Sequence, residues 1–494
     1  MQNDNSTAFA KRQHDGRIVE ISDTQRSVEH HYDNRGEETR QDRKSAPCIG
    51  LKKLNNCLKR TLIAQAVAQI RPLTDQPNRE GVLTVVDLCG GKAGDLQKWC
   101  HSARLHGQKL CYALIDISEQ EVARARHRYD SLSRSDRELF ERALFINANA
   151  FDVEQLEHSA DGALSSHFFS QTDIVSCQFA LHYAYESVAS ASGFWKVVER
   201  MSHTAATESP TLLLLSHPCR RRVLEWCAHY ANLRDRAVQE NLLDNSVCGI
   251  AFADPQIEKL VAAQRTDVCH VQLPTHGVCY RFTLLGALDQ CPEFLLPPTN
   301  VLHSAAQKEA SFHCSFSHTV DQLLGNAPAG SSKDARQPLP GNVWLSSTAA
   351  REALWQASEI SLTTDEYAVA CLYTYAMYVC WPRTLSKEEQ DEKNCSSSKP
   401  LDGAAAVPES DVANGFHNLV PVSSVDFATA AHSVDTDAAG DDQKVQSQPN
   451  KSLETGGSPL KKQKRCSSST KEKKAPTSAA FPATRRSNRL RSKK

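Results

Sequence analysis

The sequence predicts a doubly wound, mostly parallel α/β sheet, preceded by a helical segment and followed by a disordered tail. Three observations carry this expectation. Short apolar runs without strict alternation recur between amphipathic stretches from residue 82 to residue 216, as strands buried on both faces do. The first two runs each end in an aspartate, and a glycine-rich turn follows the first. Beyond Thr384 the chain turns to Ser, Ala, Asp and Glu with few aromatics, too little apolar area to offset chain entropy.

Taken in order, residues 1–28 are polar and aperiodic and are expected to be a disordered lead-in. Leu51, Leu54, Leu58, Leu62, Ile63, Ala66 and Ile70 recur at three and four, a helical stripe that Arg71-Pro72 is expected to end. Val82–Leu88 is the first predicted strand and Leu110–Ile115 the second. Glu119–Tyr129 reads as a helix, and Ala143–Ile146, Asp173–Gln178 and Thr211–Ser216 as three further strands. Val278–Leu285 alternates like an antiparallel strand, Asn300–Glu309 suits a helix, and Ser311–Phe316 suits a short strand. Residues 323–345, rich in Gly, Pro, Ser and Asp, read as an inserted loop. Tyr367–Trp381 is the longest apolar stretch at 15 residues. A membrane span needs about 20 residues, so a buried central strand is expected and no membrane association.

The 494 residues carry a net charge of only −1, which hides a gradient. Residues 450–494 hold 14 Lys+Arg against 2 Asp+Glu, and residues 384–449 hold 4 against 12. An acidic linker thus precedes a basic tail, whose clusters Leu460–Arg465 and Arg485–Lys494 suit nuclear import or non-specific RNA contact. The N-terminal stretch lacks an apolar h-region, so no secretory signal is expected. The 17 cysteines form no CxxC pair. Reduced thiols, a reducing compartment and no structural metal are expected.

Three segments carry chemistry. VVDLCGGKAGDL, residues 85–96, runs a strand into glycines 90, 91 and 94, yet fits neither the Rossmann GxGxxG spacing nor a P-loop. Asp116 ends the next strand, where a carboxylate accepts both hydroxyls of a ribose. Asp87 and Asp116 together suit an adenosyl ligand carrying a cation, S-adenosylmethionine more than NAD. The third segment, DIVSCQFALHYAYES, follows a strand with Phe179, His182, Tyr183 and Tyr185. Such a cluster stacks a planar base and reads its edges, or is a core aromatic group with a satisfied histidine.

Four segments resemble the eukaryotic messenger-RNA cap guanine-N7 methyltransferases. They are His31–Arg35 with Leu51–Lys59, residues 85–96, residues 173–187, and residues 279–296 with their PEF motif; Glu366–Val379 is a weaker fifth. The resemblance implies a class I S-adenosylmethionine-dependent methyltransferase fold over residues 29–383. It implies that Lys59, Asp87, Cys89, Gly91, Asp116, Asn149 and Gln178 bind the cofactor. Asn55, Asp95, His182, Tyr183, Glu293 and Tyr373 would surround the cap, with Phe179 lining the cleft between the ligands. Positioning by His182, Tyr183 and Glu293 would suffice without a general base, because guanine N7 carries its lone pair at neutral pH. The implied partner is 5′-capped RNA, with other capping enzymes or the RNA polymerase II machinery, for a nuclear monomer. The alternatives are a non-catalytic cap or RNA binder, and a methyltransferase acting on a small molecule or protein. Two positions depart from the family pattern: Cys89 replaces a glycine, a strained choice if φ is positive there, and Asn149 replaces an aspartate expected at the adenine amine.

Overall fold

The computed structural model describes residues 10–14, 17–33, 46–74, 81–158, 168, 171–202, 210–234, 243–264, 268, 271–323 and 360–381. The acidic linker, the basic tail and, Leu323 apart, the predicted insertion lie outside the described residues.

The chain does not enter the fold as the lead-in predicts. Strands β1 (Ala10–His14) and β2 (Arg17–Ile21) form an antiparallel hairpin, and helix α1 runs over Asp23–Asp33. The helix starts on a reciprocal cap: Gln25 N–H donates to Ser22 Oγ at 3.0 Å, and Ser22 N–H donates to Gln25 Oε1 at 3.3 Å. Asp23 in the first turn and His30 and His31 in the last suit the helix dipole. Helix α2 (Ile49–Thr74) buries all seven residues of its predicted stripe. It continues past Pro72, whose missing N–H costs one ladder bond in a last turn without ending the helix.

Seven strands form the main sheet in the order β11-β12-β7-β6-β3-β4-β5. They are β3 (Val82–Leu88), β4 (Lys109–Asp116), β5 (Phe140–Asn147), β6 (Ile174–Gln178), β7 (Thr211–Pro218), β11 (His313–Thr319) and β12 (Tyr373–Cys380). Strands β3 to β7 pair in parallel, while β12 runs antiparallel to both β7 and β11. The expected doubly wound sheet is therefore present. Strand alternation divides its core into two layers. Leu83, Val85, Leu212 and Leu214 pack with helices α2, α3 (Leu96–Leu105), α4 (Glu119–Asp130) and α7 (Arg220–Arg234). Val86, Leu88, Leu213 and Leu215 face helices α6 (Val188–Met201) and α9 (Thr299–Ala310) on the other side. The short helix α5 (Leu181–Ala184) follows β6.

A second, three-stranded sheet orders β10 (Leu288–Phe294), β9 (Cys279–Leu284) and β8 (Cys248–Phe252), all antiparallel, with helix α8 (Pro255–Ala263) beside β8. Pro292 sits on edge strand β10, where a missing donor is tolerated. The apolar stretch Tyr367–Trp381 is not one strand. Its first part belongs to helix α10 (Thr364–Ala370), started by a Thr363/Glu366 capping box, and only Tyr373 onward is strand, one place in from the sheet edge. The cap chemistry at Thr363 overrides the β-branched and aromatic content that suggested a continuous strand.

Candidate active site

The C-terminal ends of β3, β4 and β6 open onto one crevice, where an open α/β sheet binds ligands. After β3 the backbone takes positive φ at three alternate residues: Cys89 (54°), Gly91 (51°) and Ala93 (56°). A side chain on Gly90 would meet Leu114 Cδ1 at 2.7 Å, so this turn lies hard against β4. Asp95 caps α3 by position, but its side chain makes no capping bond. Its oxygens instead meet Lys59 Nζ at 2.7 Å and Lys98 Nζ at 2.8 Å. Burial alone would raise the Asp95 carboxyl, but the two ammonium groups overcome it and hold the pKa well below the usual range. Asp87 has no such pair. Burial, aided by the charge of Asp95, lifts it to about 7, against the bond it accepts from Tyr112 Oη at 2.9 Å.

Asp116 accepts from Gly91 N–H at 2.8 Å and Ser118 N–H at 2.9 Å. Burial still raises its pKa, to about 6. Beyond β5, Asn149 Oδ1 accepts from Phe151 N–H at 3.0 Å, a local turn that fixes the side chain. At the end of β6, Gln178 donates weakly to Ser176 Oγ at 3.4 Å, and its Oε1 is buried without a partner. Phe179 turns the chain with φ 60°, its N–H held by Ser216 O at 2.8 Å.

A second wall adjoins this crevice. Glu293 on β10 lies directly opposite Tyr280 on β9, and the register puts both side chains on one face. Tyr280 Oη donates to Glu293 Oε2 at 2.8 Å. Burial raises the Glu293 carboxyl to about 8, the Tyr280 bond offsetting only part of that. His182 Nε2 stands 3.5 Å from Glu293 Oε1, and neither ring nitrogen has a hydrogen-bond partner. Burial, with the neighbouring His217, pushes His182 down to about 3. At neutral pH the pair is an uncharged imidazole beside a protonated acid, not an ion pair. The His182 and Tyr183 rings lie 4.2 Å apart at 47°. Tyr373, at the start of antiparallel β12, pairs with Pro218 at the C-terminal end of β7, and its ring meets Phe179 edge-on at 5.0 Å. Lys59 Nζ lies over the same Phe179 ring at 5.7 Å.

The structure thus joins residues that the sequence separates into two sets. Lys59, assigned to the cofactor, and Asp95, assigned to the cap, form one ion pair. Asn55 Oδ1 is held by Tyr375 Oη at 3.2 Å. Sequence reasoning missed Tyr280 and Lys98, and did not assign Tyr32 although it lies in the His31–Arg35 block. The signal for Tyr280 was available: strands flanking a hairpin turn place residues 280 and 293 opposite each other. Among the described residues the cysteines are free thiols, and no cluster of three His, Cys, Asp or Glu is arranged to hold a metal. No helix of the described residues is long and apolar enough to cross a membrane.

Three features fit S-adenosylmethionine. Asp116 stands at a strand end with two backbone donors fixing its plane, Lys59 is a partly exposed ammonium above the crevice, and Gln178 Oε1 is a buried acceptor awaiting a donor. Sheet order, glycine turn and acidic strand ends define the class, a class I S-adenosylmethionine-dependent methyltransferase fold. Within it the family is specific: a model of the mRNA (guanine-N(7))-methyltransferase domain matches residues 18–326, and the chain belongs to that family. It is 31% identical over 278 residues to an mRNA cap guanine-N(7) methyltransferase of Drosophila melanogaster, covering 54% of this chain and 55% of the fly protein. An mRNA cap guanine-N(7) methyltransferase 1 of Oryza sativa subsp. japonica is 29% identical over 275 residues, covering 55% and 62%. Its counterpart in Arabidopsis thaliana is 30% identical over 290 residues, covering 57% and 64%. The chain therefore spans less than two thirds of the length of each of these relatives.

Proposed function

We propose that this protein transfers a methyl group from S-adenosylmethionine to N7 of the guanine that caps RNA. The observation that carries this reading is the buried His182–Glu293 pair, sparsely hydrogen-bonded and walled by aromatic rings, beside the cofactor crevice. A buried carboxyl with one partner needs more donors. Guanine offers two on one edge, N1–H and the exocyclic amine, while its face suits Tyr183 and Tyr373.

When bound, S-adenosylmethionine supplies a methyl already activated on sulfonium. Asp116 would hold the ribose, Gln178 Oε1 the ammonium side, and Lys59 the carboxylate, while Asp87, Cys89 and Gly91 would border the methionine part. The adenine would lie near Asn149. His182, with a pKa near 3, is too weak a base to take a proton at neutral pH, and N7 has none to give. Orientation remains: holding the two reactants in line is worth roughly 7–11 kcal/mol. Glu293 gives up its proton to solvent as it accepts from the guanine edge. The resulting carboxylate then stabilises the positive charge that N7-methylation leaves on the ring.

The same reading makes the protein a nuclear monomer working on 5′-capped RNA beside other capping enzymes or the RNA polymerase II machinery. The basic clusters of residues 450–494 support it, as import signal and as a salt-sensitive RNA contact. The test is methyl transfer from labelled S-adenosylmethionine to GpppG-capped RNA, with triphosphate-ended RNA as control. Label confined to guanine N7 of the capped RNA, and reduced at least about 100-fold in Glu293→Ala, a loss of the size expected when a group that stabilises developing charge is removed, is the expected result. Undiminished transfer in Glu293→Ala overturns the assignment.

A further inference from the structure

Helix α1 ends on two adjacent residues that touch the two halves of the site. Tyr32 Oη lies 3.3 Å from Tyr183 Oη, on the guanine-side wall. The helix that carries it packs against β10, the strand of Glu293, and against α4, which follows Asp116. Asp33 Oδ1, the next residue along, accepts from Ser118 Oγ at 2.5 Å. Ser118 is the junction of the cofactor side. Its N–H donates to Asp116 Oδ1 at 2.9 Å, and its Oγ accepts from Glu121 N–H at 3.1 Å to cap α4. A chain of hydrogen bonds therefore runs from Asp33 through Ser118 to the carboxylate at the end of β4.

We propose that Tyr32 and Asp33 form a two-pronged clasp that couples cofactor binding to guanine binding; this rests on the cap reading above. Both prongs stand on the last turn of one helix, so a shift of that turn moves them together. A guanine seated against Tyr183 and Glu293 restrains Tyr32, and that restraint sets Asp33 on Ser118. A ribose held by Asp116 fixes Ser118, which seats Asp33 and hence Tyr32. Each ligand thus bears part of the ordering cost of the other, and the coupling is reciprocal. Tyr32 and Asp33 are positioning residues: they act through Tyr183 and Ser118.

The experiment is calorimetric titration of S-adenosylhomocysteine into the full chain, with and without saturating GpppG, so that no turnover intervenes. In the parent protein GpppG is expected to lower the S-adenosylhomocysteine Kd by about fivefold or more, within the usual range of coupling. In Asp33→Ala and in Tyr32→Phe the ratio of the two Kd values is expected to fall close to one. A general loss of structure would change both Kd values and leave their ratio. The two variants report independently, since Tyr32→Phe removes a single hydroxyl. A ratio of one in the parent, with both ligands bound, overturns the clasp, as does a parent-like ratio in both variants. Failure of GpppG to bind at all overturns the cap reading and the coupling with it.

Discussion

Cys89 carries a φ of 54° in the glycine-rich turn after β3. The left-handed conformation costs an L-residue about 1–2 kcal/mol, while glycine in its place loses about 0.5–1 kcal/mol to chain entropy. Cys89→Gly is therefore expected to stabilise the fold by about 0.5–1 kcal/mol on these figures, read as a higher midpoint in chemical denaturation. The gain is bounded because glycine also gives up what the Cys89 thiol contributes where it follows Leu88, the register partner of Cys177 on the neighbouring strand. A lower midpoint would mean that the thiol's contribution outweighs the strain. This strain was legible in the sequence, because a Gly-to-Cys exchange in a tight turn makes sense only against φ. The same holds for Asp116 and Gln178, whose places at strand ends follow from counting runs. What the sequence hid was the charge pairing around Asp95, since Lys59 comes from α2 and Lys98 from the first turn of α3. Only the packing of those two helices brings the ammonium groups onto one carboxylate.

Elements with a strong period were readable in advance. The α2 stripe is buried throughout, and the runs that became β3, β4, β6 and β7 sit within two residues of their predicted limits. Elements fixed by caps were not: α1 starts on the Ser22/Gln25 pair and α10 on Thr363/Glu366, signals weaker than hydrophobic periodicity. Helix α6 shows what close packing adds. A side chain on Gly193 would meet Phe151 O at 2.1 Å, a backbone atom that cannot swing aside. Gly193→Ala is expected to cost about 1–3 kcal/mol, as overpacking does. The check is again a denaturation midpoint, with Ala191→Gly on the same helix as a control for helix propensity, worth about 1 kcal/mol. A Gly193→Ala protein as stable as its parent would mean that α6 slides freely on the loop after β5.

Across the whole molecule, buried ionisable groups limit stability at both ends of the pH scale. Burial holds His182 near 3 and His217 near 4. An unfolded imidazole takes up its proton near ~6.5. The stability tied to these rings is therefore complete above that value and is lost as pH falls through it toward 4 and 3. Glu293 and Asp87, raised to about 8 and about 7, act with the opposite sign. The unfolded carboxyls ionise near ~4, so their contribution is complete below that and is lost as pH rises through 7 and 8. Replacing Glu293 by Gln, which can still accept from Tyr280, removes the larger part of the alkaline loss. The melting temperature of Glu293→Gln relative to the parent is expected to climb between pH 5 and pH 9. Each kcal/mol gained is worth less than the roughly 2–4 °C of a 150–250-residue domain, because the shift per kcal/mol falls as the domain grows. A difference constant across that range would mean that Glu293 is already ionised in the ligand-free protein. The placement of β12 bears on how such a molecule is made. It is the last described strand in the chain, yet it lies inside the sheet, between β7 and β11. A ribosome that has not yet released residues 373–380 has delivered every other described strand with β7 and β11 still presenting open edges. Tyr373 arrives only with that final insertion. Translation thus finishes the sheet and completes the wall of the site in a single late event, and a nascent chain halted before it holds neither.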